Sequence, residues 1–97
     1  MKFANLGTPF FCLKNNIKHI RKRPDMYMRN HNNYACVAAF FGGWGMATGE
    51  LMDFQKFVVE HYQSTQKNLY WLFMIQQYEG KNALTKLYDL LEEYFDG

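Results

Sequence analysis

Apolar residues recur along this chain at steps of three and four, the spacing that keeps side chains on one face of an α-helix. The first such run follows Gly7-Thr8-Pro9. A threonine placed to cap and a proline at the first helical position predict a helix start there, and Phe10, Leu13, Ile17 and Ile20 form its stripe. Pro24 predicts its end. Lys14, Lys18, Arg21 and Lys22 fall off the stripe and are expected on a solvated face, with bases favoured at the helix C-terminus. A turn through Asp25-Met26-Tyr27-Met28 and a polar loop, Asn30-His31-Asn32-Asn33, then lead to a second helix and offer it N-caps.

In that second helix Ala35, Ala38, Gly42, Gly45 and Gly49 make a stripe of small residues, while Val37, Phe40, Phe41 and Trp44 cover the other sides. A helix apolar nearly all round is expected to be central. Each internal glycine costs roughly 1 kcal/mol against alanine, so the stripe predicts a close approach. Aromatics of a neighbouring helix are the expected contact, with a ligand or dimer contact as the other reading. A third helix is predicted from about Glu50 to Tyr62, burying Phe54, Phe57, Val58 and Tyr62. A fourth follows Ser64 or Thr65, with Leu69, Leu72, Phe73 and Gln76 at helical spacing and Tyr70 and Trp71 alongside, and Gly80 ends it or sits just beyond. The fifth begins near Asn82 on Leu84, Leu87, Leu91 and Tyr94. Together these predict an all-α fold, a single compact bundle of about five helices spanning residues 1–97.

Composition narrows the function more than the fold. A chain of 97 residues has room for one small core, and nine Phe, seven Tyr and two Trp give that core large buried areas, which excludes disorder as the main reading. Two cysteines, Cys12 and Cys36, are too few for a disulfide framework and lack metal-ligand spacing, so a reducing, cytoplasmic setting without metal or cofactor is expected. No leader-like run opens the chain. Tyr34 to Gly49 is free of charge but shorter than the roughly 20 residues a spanning helix needs, so no membrane role is expected. His19, His31 and His61 are scattered, Ser64 is the single serine, and no phosphate-cradling glycine loop follows a strand. The chain is therefore expected not to be an enzyme.

Charge is divided along the chain. Residues 1–49 hold seven bases and one acid, and residues 50–97 four bases and eight acids. The halves are expected to meet different partners or each other. Lys14 to Arg29, with Lys18-His19-Ile20-Arg21-Lys22-Arg23 at its centre, is the candidate for nucleic-acid binding, the alternative function, although it matches no helix-turn-helix, RNP or zinc-finger pattern.

The segment Ile20 to Tyr27 resembles the Arg-Lys-Arg-Pro-x-Met-Tyr stretch of the ATPase subunit of type II topoisomerases, whose Asp-x-Gly-x-Gly nucleotide motif is missing here. A second resemblance runs through nearly the whole chain. It is carried by Ile17-x-x-Ile20-x-x-Arg23-Pro24-x-Met26-Tyr27, Phe40-Phe41-x-Gly43-Trp44 and Phe54-x-x-Phe57-Val58-x-x-x-Tyr62. It continues in an aromatic helix around Trp71 and in Ala83-Leu84-x-x-Leu87-Tyr88-x-Leu90-Leu91-x-x-Tyr94-Phe95. This pattern resembles the small helical immunity proteins of bacterial contact-dependent growth inhibition and related polymorphic toxin systems. Where that family usually has a glycine two positions after the tyrosine, Arg29 stands here, and the turn is expected to use Asn30 in a left-handed conformation.

The resemblance implies a cytoplasmic protein without catalysis or cofactor that binds one cognate toxin C-terminal domain in a 1:1 complex. Such toxins are often nucleases, with a ribonuclease favoured, and their inhibitors commonly offer acidic groups to the basic groove, so no direct nucleic-acid contact is implied. Asp89, Glu92, Glu93 and Asp96 on the closing helix are the matching acids, and Tyr78 and Tyr88 the candidate aromatic anchors, with core positions as the equal alternative for both tyrosines. An ordinary solvated helix face is the competing reading of those acids. Negative charge in a helix's last turns nevertheless opposes the macrodipole by a few tenths of a kcal/mol per residue, which asks for another reason for it.

Overall fold

The computed structural model describes residues 12–96, and among them the regular structure is helical, with no strand. Leu13, Ile17 and Ile20 are the buried stripe of α1 (Leu13–Lys22), as the spacing predicts. Thr8, Pro9 and Phe10, the expected start of that helix, lie outside the described residues. The first described N–H groups of α1 are instead satisfied from a distance. The Glu50 carboxylate accepts from the backbone of Leu13 at 2.5 Å and of Lys14 at 2.9 Å. A carboxylate at a helix N-terminus meets both the unpaired donors and the positive end of the dipole. After α1, Pro24–Met26 form a single 3-10 turn, and the Met28 N–H donates to the Pro24 carbonyl at 2.9 Å. Asn30 is not left-handed: Gln63 is the one non-glycine among the described residues with positive φ. The proline-led turn and an Asn33 N–H bond to the Asn30 carbonyl reverse the chain without it.

Asn33 caps α2 (Tyr34–Thr48), its side chain accepting from the Cys36 N–H at 3.0 Å, and Gly49 closes the helix at φ 78°. Val37, Ala38, Phe41 and Gly45 are buried, whereas Ala35, Ala39, Gly43, Met46 and Ala47 face solvent. α2 is thus a surface helix with an uncharged outer face, not the central helix that its apolar composition predicts. Alanine and glycine register as apolar yet have little side chain to bury. A Cβ on Gly45 would lie 2.4 to 2.7 Å from Leu51 side-chain atoms, so the close approach at that point is made by the turn after α2. At Gly42 the neighbours are the aromatics that the stripe predicts, the Tyr70 hydroxyl and the Trp71 ring.

α3 (Phe54–Tyr62) starts four residues later than the periodicity suggests, because Glu50 to Asp53 form the turn that seats Leu51 and caps α1. Gln55 then organises the next connection. Its side chain accepts from the Trp71 N–H at 2.7 Å and donates to the Leu69 carbonyl at 2.8 Å, fixing where α4 (Trp71–Glu79) begins. α4 buries Trp71, Met74 and Ile75, while Phe73 is 54% exposed and Gln76 lies on the surface. This corrects the stripe of Leu69, Leu72, Phe73 and Gln76. A 3-10 turn over Gly80–Asn82 leads straight into α5 (Ala83–Asp96), which touches all four other helices. The core therefore gathers around α5 through Ala83, Leu87, Tyr88, Leu90 and Leu91. Phe54 adds edge-to-face contacts with Trp71 at 5.0 Å and Tyr94 at 5.2 Å. Among the described residues no helix is long and apolar enough to cross a membrane.

Candidate partner-binding surface

The four acids of α5 divide between an internal and an external role. Arg21, projecting from α1 beside the Ile17–Ile20 stripe, donates to Glu92 Oε2 at 2.6 Å and to Asp89 Oδ1 at 2.7 Å. Its guanidinium carbon also stands 5.6 Å from the centroid of the Tyr88 ring. Burial works against the Arg21 charge, but hydrogen bonds and attraction from Glu92 and Asp89 outweigh it and raise its pKa. Part of the charge asymmetry along the chain is thus resolved within the fold, as the basic first half meets the acidic second half. Glu93 and Asp96 remain exposed, and the Asp89 side chain keeps 48% of its surface open.

Tyr88 is not available as a partner anchor. It is 6% exposed, packs edge-on against Phe41 at 5.5 Å, and has a buried hydroxyl without a hydrogen-bond partner among the described residues. Because α5 packs against four other helices, its buried arc extends from Leu87 over Tyr88 to Leu91, and burial raises the Tyr88 pKa. Tyr78 belongs to a separate cluster. It is 46% exposed and stacks parallel to Tyr62, with ring centroids 4.4 Å apart and planes 4° apart. The Tyr62 hydroxyl donates to Glu79 Oε2 at 2.7 Å, and the His61 ring meets Tyr62 edge-on at 4.7 Å. Burial, followed by the bond to Glu79, raises the Tyr62 pKa far above the usual phenol range. Tyr88, Asp89 and Glu92 therefore converge on Arg21, whereas Tyr78 is held on α4 by Tyr62.

Sequence periodicity did not reveal the groove between α2 and the start of α4. It holds about 300 Å³, with Gly42, Gly45 and Trp71 in its lining and Met46, Met52 and Tyr70 alongside. Met46 is 82% and Met52 80% exposed. Its sequence signal is the glycine stripe itself, which Leu51 fills at Gly45 and which Tyr70 and Trp71 meet at ordinary contact distance at Gly42, while nothing among the described residues approaches within 4 Å at Gly49. On the opposite side of the molecule's charge division, Lys14, Lys18 and Lys22 form an exposed row along α1, and Arg23 and Arg29 are exposed beyond it.

Cys36 is an exposed cysteine whose Sγ accepts from Asn30 Nδ2 at 3.8 Å, and His19 Nδ1 lies 2.6 Å from the Tyr27 hydroxyl. Among the described residues no group of three or more His, Cys, Asp or Glu side chains is arranged to hold a metal ion. The surface carries exposed carboxylates on α5, a stacked tyrosine pair on α3 and α4, and an uncharged groove. No known protein family matches the chain, and no curated protein or solved structure is significantly similar to it.

Proposed function

We propose that this chain is an immunity protein, a small helical binding protein that neutralises one cognate bacterial toxin domain in the cytoplasm. The toxin domain is a nuclease, with a ribonuclease favoured, and the 1:1 complex blocks its active site or substrate groove. The reading is supported by the residue pattern from Ile17 to Phe95 and by an all-helical fold. The observation that carries it is the pair Glu93 and Asp96, exposed in the last turns of α5 where the helix itself gains nothing from negative charge. With Asp89 half open beside them, these carboxylates suit a basic groove that otherwise holds a phosphate backbone.

The direct experiment pairs the protein with the C-terminal domain of the protein encoded immediately upstream of its gene, which this reading expects to be the toxin. A stoichiometric complex and loss of toxin activity are expected; full toxin activity in the presence of excess folded protein overturns the reading. The exposed row of Lys14, Lys18 and Lys22 favours a second reading, a nucleic-acid-binding protein. Submicromolar affinity for random RNA at physiological salt, falling steeply as salt rises, selects that alternative.

A further inference from the structure

Tyr78 and Glu79 on α4 stand in the same order, tyrosine then acid, as Tyr88 and Asp89 on α5, which together with Glu92 hold Arg21. There the adjacent residues Tyr88 and Asp89 hold a guanidinium, with Arg21 5.6 Å from the Tyr88 ring centroid and bonded to Asp89 at 2.7 Å. An aromatic face beside a carboxylate suits arginine in particular, because the planar guanidinium stacks on the ring while its N–H fork reaches the acid. On α4 the same order of residue types, a tyrosine followed by an acid, stands at the surface. Tyr62 stacks against one face of the Tyr78 ring, and Tyr78 is still 46% exposed. Glu79 is drawn to this stack by the Tyr62 hydroxyl, which donates to Oε2 at 2.7 Å. Among the described residues no arginine or lysine forms an ion pair with Glu79.

We propose that Tyr78 and Glu79 form a receptor for an arginine side chain of a protein partner, the guanidinium packing on the exposed part of the Tyr78 ring and donating to the Glu79 carboxylate. Stacking against Tyr62 and the edge-on contact of His61 with Tyr62 hold the platform in place before the partner arrives, so little side-chain freedom is lost on binding. Lysine fits less well, since a compact ammonium neither stacks nor forks. The proposal rests on the immunity reading only for the owner of the arginine, a basic toxin surface.

The test uses the full chain and N-acetyl-arginine amide, with N-acetyl-lysine amide for comparison, followed through the ring-proton NMR signals of the tyrosines. Tyr70, 45% exposed and without a described ion-pairing acid, is the internal control. The arginine amide is expected to shift Tyr78 saturably and more than Tyr70, with the lysine amide weaker. Glu79→Gln, whose amide can still accept from Tyr62, should weaken the arginine effect about fivefold, and Tyr78→Leu should abolish the corresponding Tyr62 shift. Equal shifts at Tyr78 and Tyr70, or unchanged titration of folded Glu79→Gln, overturn the proposal. Since no toxin enters this titration, its failure leaves the immunity reading standing, and failure of the toxin experiment leaves the arginine receptor standing.

Discussion

Arg21 and Glu92, 71 residues apart in sequence, meet at 2.6 Å and tie the first helix to the last. The same guanidinium bonds Asp89 and covers the Tyr88 ring, so one side chain joins a core aromatic to a surface acid pair. Two carboxylates that look like a solvated or partner-facing set in the sequence are thereby committed to the fold. Of the four α5 acids, Glu93 and Asp96 are left at the surface without an ion pair among the described residues, with Asp89 half open beside them.

Replacing Arg21 with glutamine should lower stability by about 1 to 2 kcal/mol, most of it through the two charge-assisted bonds, since a third of the side chain is still solvated. In a double-mutant cycle with Glu92→Gln, urea unfolding should give a coupling of about 0.5 to 1 kcal/mol that shrinks as salt is raised.

Removing the long-range cap should loosen one end of α1 only. Glu50→Ala leaves the Leu13 and Lys14 N–H groups without their acceptor and should cost about 1 kcal/mol. Faster hydrogen exchange at those two amides, with that of α5 unchanged, is the accompanying observation.

At Gly45 the contact with Leu51 predicts a reciprocal pair of substitutions. Gly45→Ala places a methyl group into the Leu51 side chain and should destabilise the domain by about 1 to 3 kcal/mol despite the better helix propensity of alanine. Leu51→Ala in the same chain should recover part of that loss by making room. Thermal unfolding of the single and double variants separates this from a stripe that faces a partner, which would leave the midpoint unchanged and reduce binding alone.

Much of this architecture was legible in the sequence where one side of a helix contrasts with the other. Leu13, Ile17 and Ile20 stand out among lysines and asparagines, so α1 is read in the correct phase. α4 offers no such contrast: Tyr70 to Ile75 is an unbroken run of large apolar residues, and periodicity alone does not tell Trp71, Met74 and Ile75 from Leu72 and Phe73. For α2 the difficulty is size, since exposed alanines and glycines look like core. The acids of the candidate surface were visible, but their division was not. Whether Asp89 and Glu92 face solvent or Arg21 depends on how α1 packs on α5, a contact 68 to 71 residues apart that no local pattern encodes. The choice between anchor and core for Tyr88 is open in the sequence for the same reason, because contacts with other helices, not its charged neighbours on α5, bury it.

Alkaline pH should unfold the protein through its buried phenols. The Tyr34 hydroxyl donates to the Leu72 carbonyl at 2.6 Å, and burial raises its pKa; Tyr62 is raised by burial and by its bond to Glu79. In the unfolded chain both ionise near the ordinary value of about 10, whereas in the folded protein they stay neutral to higher pH. Unfolding therefore releases protons above about pH 10, and the stability present below that pH is lost as pH rises toward the folded values. Urea midpoints of the wild type should fall through this range, and Tyr34→Phe should flatten the fall while costing about 1 kcal/mol at neutral pH.

The most direct measurement is the rate at which the purified cognate toxin domain associates with charge-reversed protein. Because reversing Asp89 or Glu92 would set a lysine against Arg21 and disturb the fold, the informative variant is Glu93→Lys with Asp96→Lys, shown to be folded by circular dichroism. If the acidic end of α5 steers the toxin's basic groove, association should slow about tenfold at low salt and lose most of its salt dependence, while Lys56→Glu with Lys67→Glu should not slow it. An association rate equal to that of the wild type for the folded Glu93 and Asp96 reversal would contradict steering by α5.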